Sequence, residues 1–250
     1  MKERIITIIV CLVFLAKGFS QMPSPKEIIQ KANDKVLGKY SQAEIKMTII
    51  RPDWKREMIM KSWSSGQKYS LILITSPARD KGTSFLKIDK EMWDWRPSIE
   101  RVIKMPPSMM SQSWMGSDFT NDDLANTSSK IDDYTHEILG EEIIEGRKTW
   151  ILELTPKEGT AIVWGKIKIW IDKEEYIQMK TEFYDEDEYL IQINTAKKIK
   201  KIGDKMLPSV IEVIPAEEKG HKTKIEYVSL SFDEPISDTF FSIRNMKRLR

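Results

Sequence analysis

The chain has 250 residues, 40 Lys and Arg against 38 Asp and Glu, 40% hydrophobic residues and one cysteine. This composition excludes collagenous, disordered and disulfide-stapled classes and supplies enough apolar material for one large core. A formal charge of +2 offers no footprint for nucleic acid, and without residues 1–20 the balance is 37 positive against 37 negative.

Lys2 and Arg4 precede an apolar run from Ile5 to Ala16, which has the length of a signal peptide and is too short for the ~20 residues that span a bilayer. Residues 1–20 are therefore read as a cleaved signal peptide and residues 21–250 as a single exported domain. Small residues two apart place cleavage after Gly18 or after Ser20; the alternative is an uncleaved anchor. Cys11 lies within the apolar run, behind Val10, where a lipid-attachment site would need a small residue. The exported chain then has no thiol, which removes thiolate metal sites and cysteine catalysis.

Ser24 to Gly38 is read as a helix. Ile28, Ile29, Ala32, Val36 and Leu37 fall at helical spacing, Ser24 is placed to cap, Pro25 occupies the first turn and Gly38 ends it. From Ala43 onward the period is two. Apolar and polar residues alternate over Ala43–Ile50, Arg56–Trp63, Tyr69–Thr75, Ser84–Ile88, Ile138–Ile144, Thr149–Leu154, Lys166–Asp172, Ile177–Tyr184, Leu190–Ile199, Leu207–Ile214 and Thr223–Phe232. Short polar connectors such as Ser65-Gly66, Asp89-Lys90, Glu145-Gly146, Gly203-Asp204 and Lys219-Gly220 supply the residues that tight hairpins need. The expected fold is mainly β, with about ten or eleven strands in a curled antiparallel meander that becomes a barrel, a half-barrel or a sandwich. Between Met105 and Asn126 the period fails, and a loop with one or two short helices is expected to lie over the sheet.

The catalytic inventory is thin. His136 and His221 stand far apart without metal-ligand spacing, and there is no Gly-x-Ser-x-Gly elbow, phosphate-binding glycine loop or dinucleotide fingerprint. Asp185-Glu186-Asp187-Glu188 lacks EF-hand spacing and is read as a solvated hairpin tip. Asp118, Asp122 and Asp123 suit caps and turns, and Arg244, Lys247, Arg248 and Arg250 suit a charged tail. No metal, cofactor or catalytic residue is assigned, although a hydrolase built on an unrecognised carboxylate pair remains a third alternative.

Composition is lopsided in one place. Eight of the 13 methionines and five of the eight tryptophans fall between Met47 and Met115. Methionine is unbranched and polarizable, so it packs adaptably, either as core filling or as a surface for varied apolar partners.

Within this region Trp93-Asp94-Trp95-Arg96-Pro97, Arg101-Val102, Pro106-Pro107-Ser108-Met109 and Ser113-Trp114-Met115-Gly116-Ser117-Asp118-Phe119-Thr120, followed by Asp122-Asp123-Leu124, carry a resemblance. The chain resembles the outer-membrane lipoprotein-sorting proteins of the LolA-like superfamily, as found in exported proteins of Gram-negative bacteria. That resemblance implies an unclosed antiparallel half-barrel, capped on its concave face by an N-terminal helix and short lid helices around an apolar cavity for acyl chains. It further implies a non-catalytic, monomeric periplasmic carrier of lipoproteins or other lipids, with an inner-membrane transporter as donor and an outer-membrane acceptor. The alternative is an accessory subunit of a membrane transporter. On this reading Met58, Met60, Trp63, Leu71, Leu73, Trp93 and Trp95 line the cavity, and Met109, Met110, Trp114, Met115 and Phe119 cover it. Strand alternation conflicts with part of that set, because the Met58/Met60 face and the Ile59/Trp63 face point oppositely unless a bulge intervenes.

Overall fold

The computed structural model describes residues 22–125, 129–160 and 164–249. The expected signal peptide and Cys11 lie outside them.

Helix α1 (Pro25–Leu37) forms where its periodicity places it, and it begins with a capping box in which the Ser24 hydroxyl accepts from Glu27 N and the Glu27 carboxylate accepts from Ser24 N. Gly38 ends the helix at φ 61°, a conformation that costs glycine little. Six strands follow: β1 (Tyr40–Ile50), β2 (Lys55–Ser65), β3 (Tyr69–Ser76), β4 (Ser84–Ile88), β5 (Glu91–Arg96) and β6 (Arg101–Lys104). A crossing segment then carries two 3₁₀ turns (Pro107–Met109, Trp114–Gly116) and the short helices α2 (Asn121–Ala125) and α3 (Ser129–Asp132). Seven more strands complete the sheet: β7 (Tyr134–Ile144), β8 (Arg147–Pro156), β9 (Lys166–Asp172), β10 (Gln178–Tyr184), β11 (Leu190–Ile202), β12 (Lys205–Pro215) and β13 (Lys222–Phe232). A last 3₁₀ turn (Asp238–Phe240) leads into α4 (Ile243–Met246).

The described residues form thirteen strands, in the order β6-β5-β4-β3-β2-β1-β13-β12-β11-β10-β9-β8-β7. The two beyond expectation are β5 and β6, which are short, and β5 alternates tryptophan with buried Met92 and Asp94. The sheet is a half-barrel that does not close, and every strand pair in it is antiparallel. Pairing of β1 with β13 joins the two halves at the centre of the order and leaves β6 and β7 as the free edges. The segment from β6 to β7 therefore has to run from one edge to the other, which accounts for its break in period. At the tip between β10 and β11, the Asp185 carboxylate accepts from Asp187 N and Tyr189 N at 3.0 and 2.8 Å, as the hairpin reading of the acidic run expects.

The inner face holds two clusters. Ile28, Ile29 and Ala32 of α1 pack on Ile167, Ile169 and Ile171 of β9, with Trp150, Leu152, Leu154 and Phe183 around them. At about 1.5–3 kcal/mol per large apolar side chain removed from water, this contact fixes α1 across the C-terminal half of the sheet. Under the crossing segment a second cluster gathers Met47, Ile49, Met58, Met60, Ile74, Phe85, Met92, Trp114 and Ile225. The C-terminal segment keeps Arg244, Lys247 and Arg248 exposed while its apolar residues pack on the sheet. It lies on the outer face, where Phe241 stacks on Tyr69 at 5.2 Å, Phe240 meets Trp63 at 5.5 Å and Met246 is fully buried. Among the described residues no helix is long and apolar enough to cross a membrane.

Candidate functional site

The crossing segment is fastened to the inner face at one end. Arg51, in the β1–β2 turn, reaches Asp118 at 2.9 Å, and both side chains are nearly out of solvent, at 11% and 5% exposure. The Thr223 hydroxyl donates to the same carboxylate at 2.7 Å and accepts from Asp118 N at 3.0 Å. Arg51 also donates to the Gly116 carbonyl, and Arg56 to that of Met115, a residue held at φ 53°. Thr120 and Asp123 then cap α2 reciprocally: the Asp123 carboxylate accepts from Thr120 N at 2.8 Å, and the Thr120 hydroxyl from Asp123 N at 3.1 Å. Asp123 thus fills the capping role its sequence suggested, whereas Asp118 is half of a buried ion pair.

Beneath this latch the inner face is solid. Trp114 is 2% exposed and sets its edge on Phe85 at 5.2 Å, while Met58 and Met60 are fully packed. Met110, Met115 and Phe119 lean on the same cluster, and the Met109 carbonyl accepts from Asn121 Nδ2 at 2.9 Å.

The empty space lies beside it. A cavity of about 270 Å³ opens between α1, the α2 end of the crossing segment and the inner face of β10 to β13. Its apolar lining includes Val36, Phe119, Ala196, Leu207, Ile211 and Leu230. A second compartment of about 180 Å³ lies over β1 to β4 and shares Val36, Asp123, Tyr227 and Leu230 with the first. Together they offer about 450 Å³, within the ~300–1,000 Å³ of small-molecule sites.

Asn33 and Tyr227 are among the polar side chains that line this space. The amide Nδ2 of Asn33, which lines the larger cavity, is buried with no hydrogen-bond partner among the described residues. Burial raises the Tyr227 phenol above its ordinary pKa, and its ring lines both compartments.

The twelve residues expected from the sequence divide between the two sides of the sheet. Met58, Met60, Met110, Trp114, Met115 and Phe119 come together on the inner face, with Met109 in the crossing segment beside them. Trp63, Leu71, Trp93 and Trp95 are on the outer face, packed with Phe240, Phe241 and Met246. Leu73, 1% exposed, shares the alternation of Leu71. The five outward residues correct the expected wall. The one bulge in β2 pairing, between Ile59 and Met60, lies before Trp63 and does not turn it inward. Phe119 alone of the twelve lines the larger cavity.

The missed residues are small. Along the inner face of β2, Met58 and Met60 give way to Ser62 and Ser64, which meet Ala43 and Ser41 on β1 and Ile72 and Ser70 on β3. Short side chains at successive inward positions leave volume, and this period-two run of Ser and Ala was the available signal. Among the described residues no group of three or more His, Cys, Asp and Glu is placed to hold a metal ion.

With this geometry in view, comparison with known proteins gives consistent results. A family model described as "Uncharacterized protein" matches residues 66–248. Among solved structures, a DUF1329 family protein from Desulfovibrio piger superimposes with a TM-score of 0.82 at 26% identity, covering 89% of this chain and 97% of that one. A domain described as an outer membrane lipoprotein-sorting protein, from Vibrio parahaemolyticus, gives 0.79 at 25% identity, over 90% and 98% of the two chains. A LolA superfamily protein from Nitrosomonas europaea gives 0.75 at 22% identity, over 89% and 99%. No curated protein matches the chain.

Proposed function

The chain belongs to the family whose model spans residues 66–248 and has the fold of LolA-like lipoprotein-sorting proteins; from that premise we propose that it is a non-catalytic periplasmic carrier. It takes up acyl chains of lipoproteins or other lipids in the inner-face cavity and moves them toward the outer membrane. The observation that carries this reading is the hollow of about 270 Å³ roofed by α1 and the crossing segment, with an apolar lining of Val36, Phe119, Leu207, Ile211 and Leu230.

The physical requirement is simple. Hydrocarbon leaves water with about 0.8 kcal/mol per methylene, so a chain of about fifteen carbons needs on the order of 12 kcal/mol from its carrier. Transfer then runs toward whichever acceptor covers the chain better, and no reacting group is needed. Entry requires the cover to move. Met109, Met110, Trp114, Met115 and Phe119 belong to a connection rather than to the sheet's ladder, so the cover lifts by releasing the Arg51–Asp118–Thr223 latch while the strands stay paired. An inner-membrane donor and an outer-membrane acceptor are the partners this direction of transfer requires.

Titration with a fluorescent fatty acid tests the reading. Trp164 lies 4.9 Å from Phe183, a cavity residue, so saturable quenching of tryptophan emission, reversed by unlabelled palmitate, is expected. Linear, non-displaceable quenching would contradict it.

A further inference from the structure

The smaller compartment is chemically unlike the larger one. Lys87 of β4 faces Ser70 of β3, Ser70 faces Ser64 of β2, and Ser64 faces Ser41 of β1, so one inner-face row crosses four strands as Lys-Ser-Ser-Ser. All four line this compartment, with Ser62 from the next row. Lys87 is 5% exposed, and its ammonium group donates to the Gln67 carbonyl at 2.9 Å. An ammonium has three protons to donate, and no described carboxylate pairs with this one. Asp89, in the following turn, acts on it only through space. Asp123 borders the compartment with one oxygen, Oδ2, accepting from Thr120 N and Oγ1 at 2.8 and 2.9 Å, and it makes no ion pair with Lys87 among the described residues.

A buried cation without a contact ion pair is costly and is ordinarily paired, and the through-space pull of Asp89 does not offset the burial. Burial accordingly pulls the Lys87 pKa below that of a free lysine. Ser41 and Ser64 share a hydrogen bond at 2.7 Å, and together the serines offer short hydroxyl donors around an unneutralised positive charge. Val36, Asp123, Tyr227 and Leu230 line both this compartment and the apolar cavity, so the two adjoin.

We propose that the Lys87–serine compartment receives the anionic head, phosphate or carboxylate, of an amphiphile whose hydrocarbon occupies the adjoining apolar cavity. This rests on the carrier reading and adds a charge requirement to it. The ligand class is a single amphiphile of matched polarity, acidic at the β1–β4 end and aliphatic beneath α1. Ion pairing of Lys87 with such a head neutralises the buried charge only in the loaded state, so loading is favoured at both ends of the ligand.

The test uses four probes of equal chain length, hexadecyl phosphate, palmitate, hexadecanol and hexadecyltrimethylammonium, each titrated into the wild-type protein and into Lys87→Met and Lys87→Arg. Expected are at least tenfold tighter binding of an anionic probe than of hexadecanol, collapse of that preference in K87M, and its retention in K87R. Whichever of phosphate and palmitate binds more tightly identifies the head chemistry. K87M is expected to melt no lower than wild type, because it removes an unpaired buried charge, so lost preference with an intact melt separates head recognition from misfolding. Equal binding of neutral and anionic probes by wild type, or an unchanged preference in K87M, would overturn the head-group assignment and leave the carrier reading standing. Failure of all four probes to bind wild type would overturn both.

Discussion

Two regions of one inner face carry similar apolar character and opposite packing. Beneath the latch, Met47, Met58, Met60, Phe85, Met92 and Trp114 fill the curl of the sheet. Between the C-terminal turns of α1 and β10 to β13, and along the Ser-Ala rows of β1 to β3, the same curl is left hollow. Softness does not make the cavity; shortness does. Methionine and tryptophan reach across the curl and meet the crossing segment, which gives that segment a fixed seat. Ser41, Ala43, Ser62, Ser64 and Ala196 do not reach. The crossing segment is thus anchored where the core is solid and roofs a void where the side chains are short, so release of the anchor is the step that frees the cover.

The largest effect is expected at the seat. Trp114→Ala removes a side chain that is 2% exposed, and urea unfolding is expected to show a loss of about 3–5 kcal/mol. W114F is expected to cost under about 1 kcal/mol, since the buried indole N–H has no acceptor among the described residues. An equal loss in both variants would show that the seat depends on the full indole and not on ring packing against Phe85 alone. Next is the latch. Asp118→Ala leaves the Arg51 guanidinium buried beside an unpaired Thr223 hydroxyl, at a cost of about 3 kcal/mol. The effect is expected as faster amide exchange across residues 109–121, with β9 to β12 unaffected; uniform acceleration over the whole sheet would mean that the segment does not move independently.

At the hollow the signs reverse. Ala196→Leu fills cavity volume, so acyl affinity is expected to fall at least tenfold, about 1.4 kcal/mol, while the melting temperature holds or rises. A fall in melting temperature with unchanged affinity would place the ligand elsewhere. The smallest effect is at Lys87, whose burial lowers its pKa below that of a free lysine. A depressed lysine binds fewer protons folded than unfolded, so stability rises with pH between the folded value and the ordinary one of about 10.4. The advantage of K87M over wild type, on the order of 1 kcal/mol near neutrality, should therefore shrink as pH climbs through that window. A difference independent of pH would indicate that the ammonium is not the source of the cost.

Much of this architecture was legible from alternation alone. The strand bounds at Ser84–Ile88 and Lys166–Asp172 and the capped helix beginning at Pro25 follow from local pattern. β5 and β6 were hidden because Trp93-Asp94-Trp95-Arg96-Pro97 reads as a motif, and β6 has only four residues with no buried face. The site was harder for a specific reason. Trp63, Leu71, Trp93 and Trp95 are apolar on the outer face because the C-terminal segment covers them with Phe240 and Phe241, and nothing local in β2 to β5 announces a cover from about 150 residues further along the chain. Conversely, serines at inward positions resemble solvent-facing ones until the register shows Ser70 opposite Ser64 and Ser64 opposite Ser41.

Native mass spectrometry of the full chain purified from its own envelope, beside A196L prepared in the same way, addresses the central claim most directly. The account predicts that wild type carries a discrete added mass matching an acyl-bearing molecule and that the filled variant carries little or none. A wild-type protein recovered only at its bare mass, or the same adduct retained in full by A196L, would contradict it.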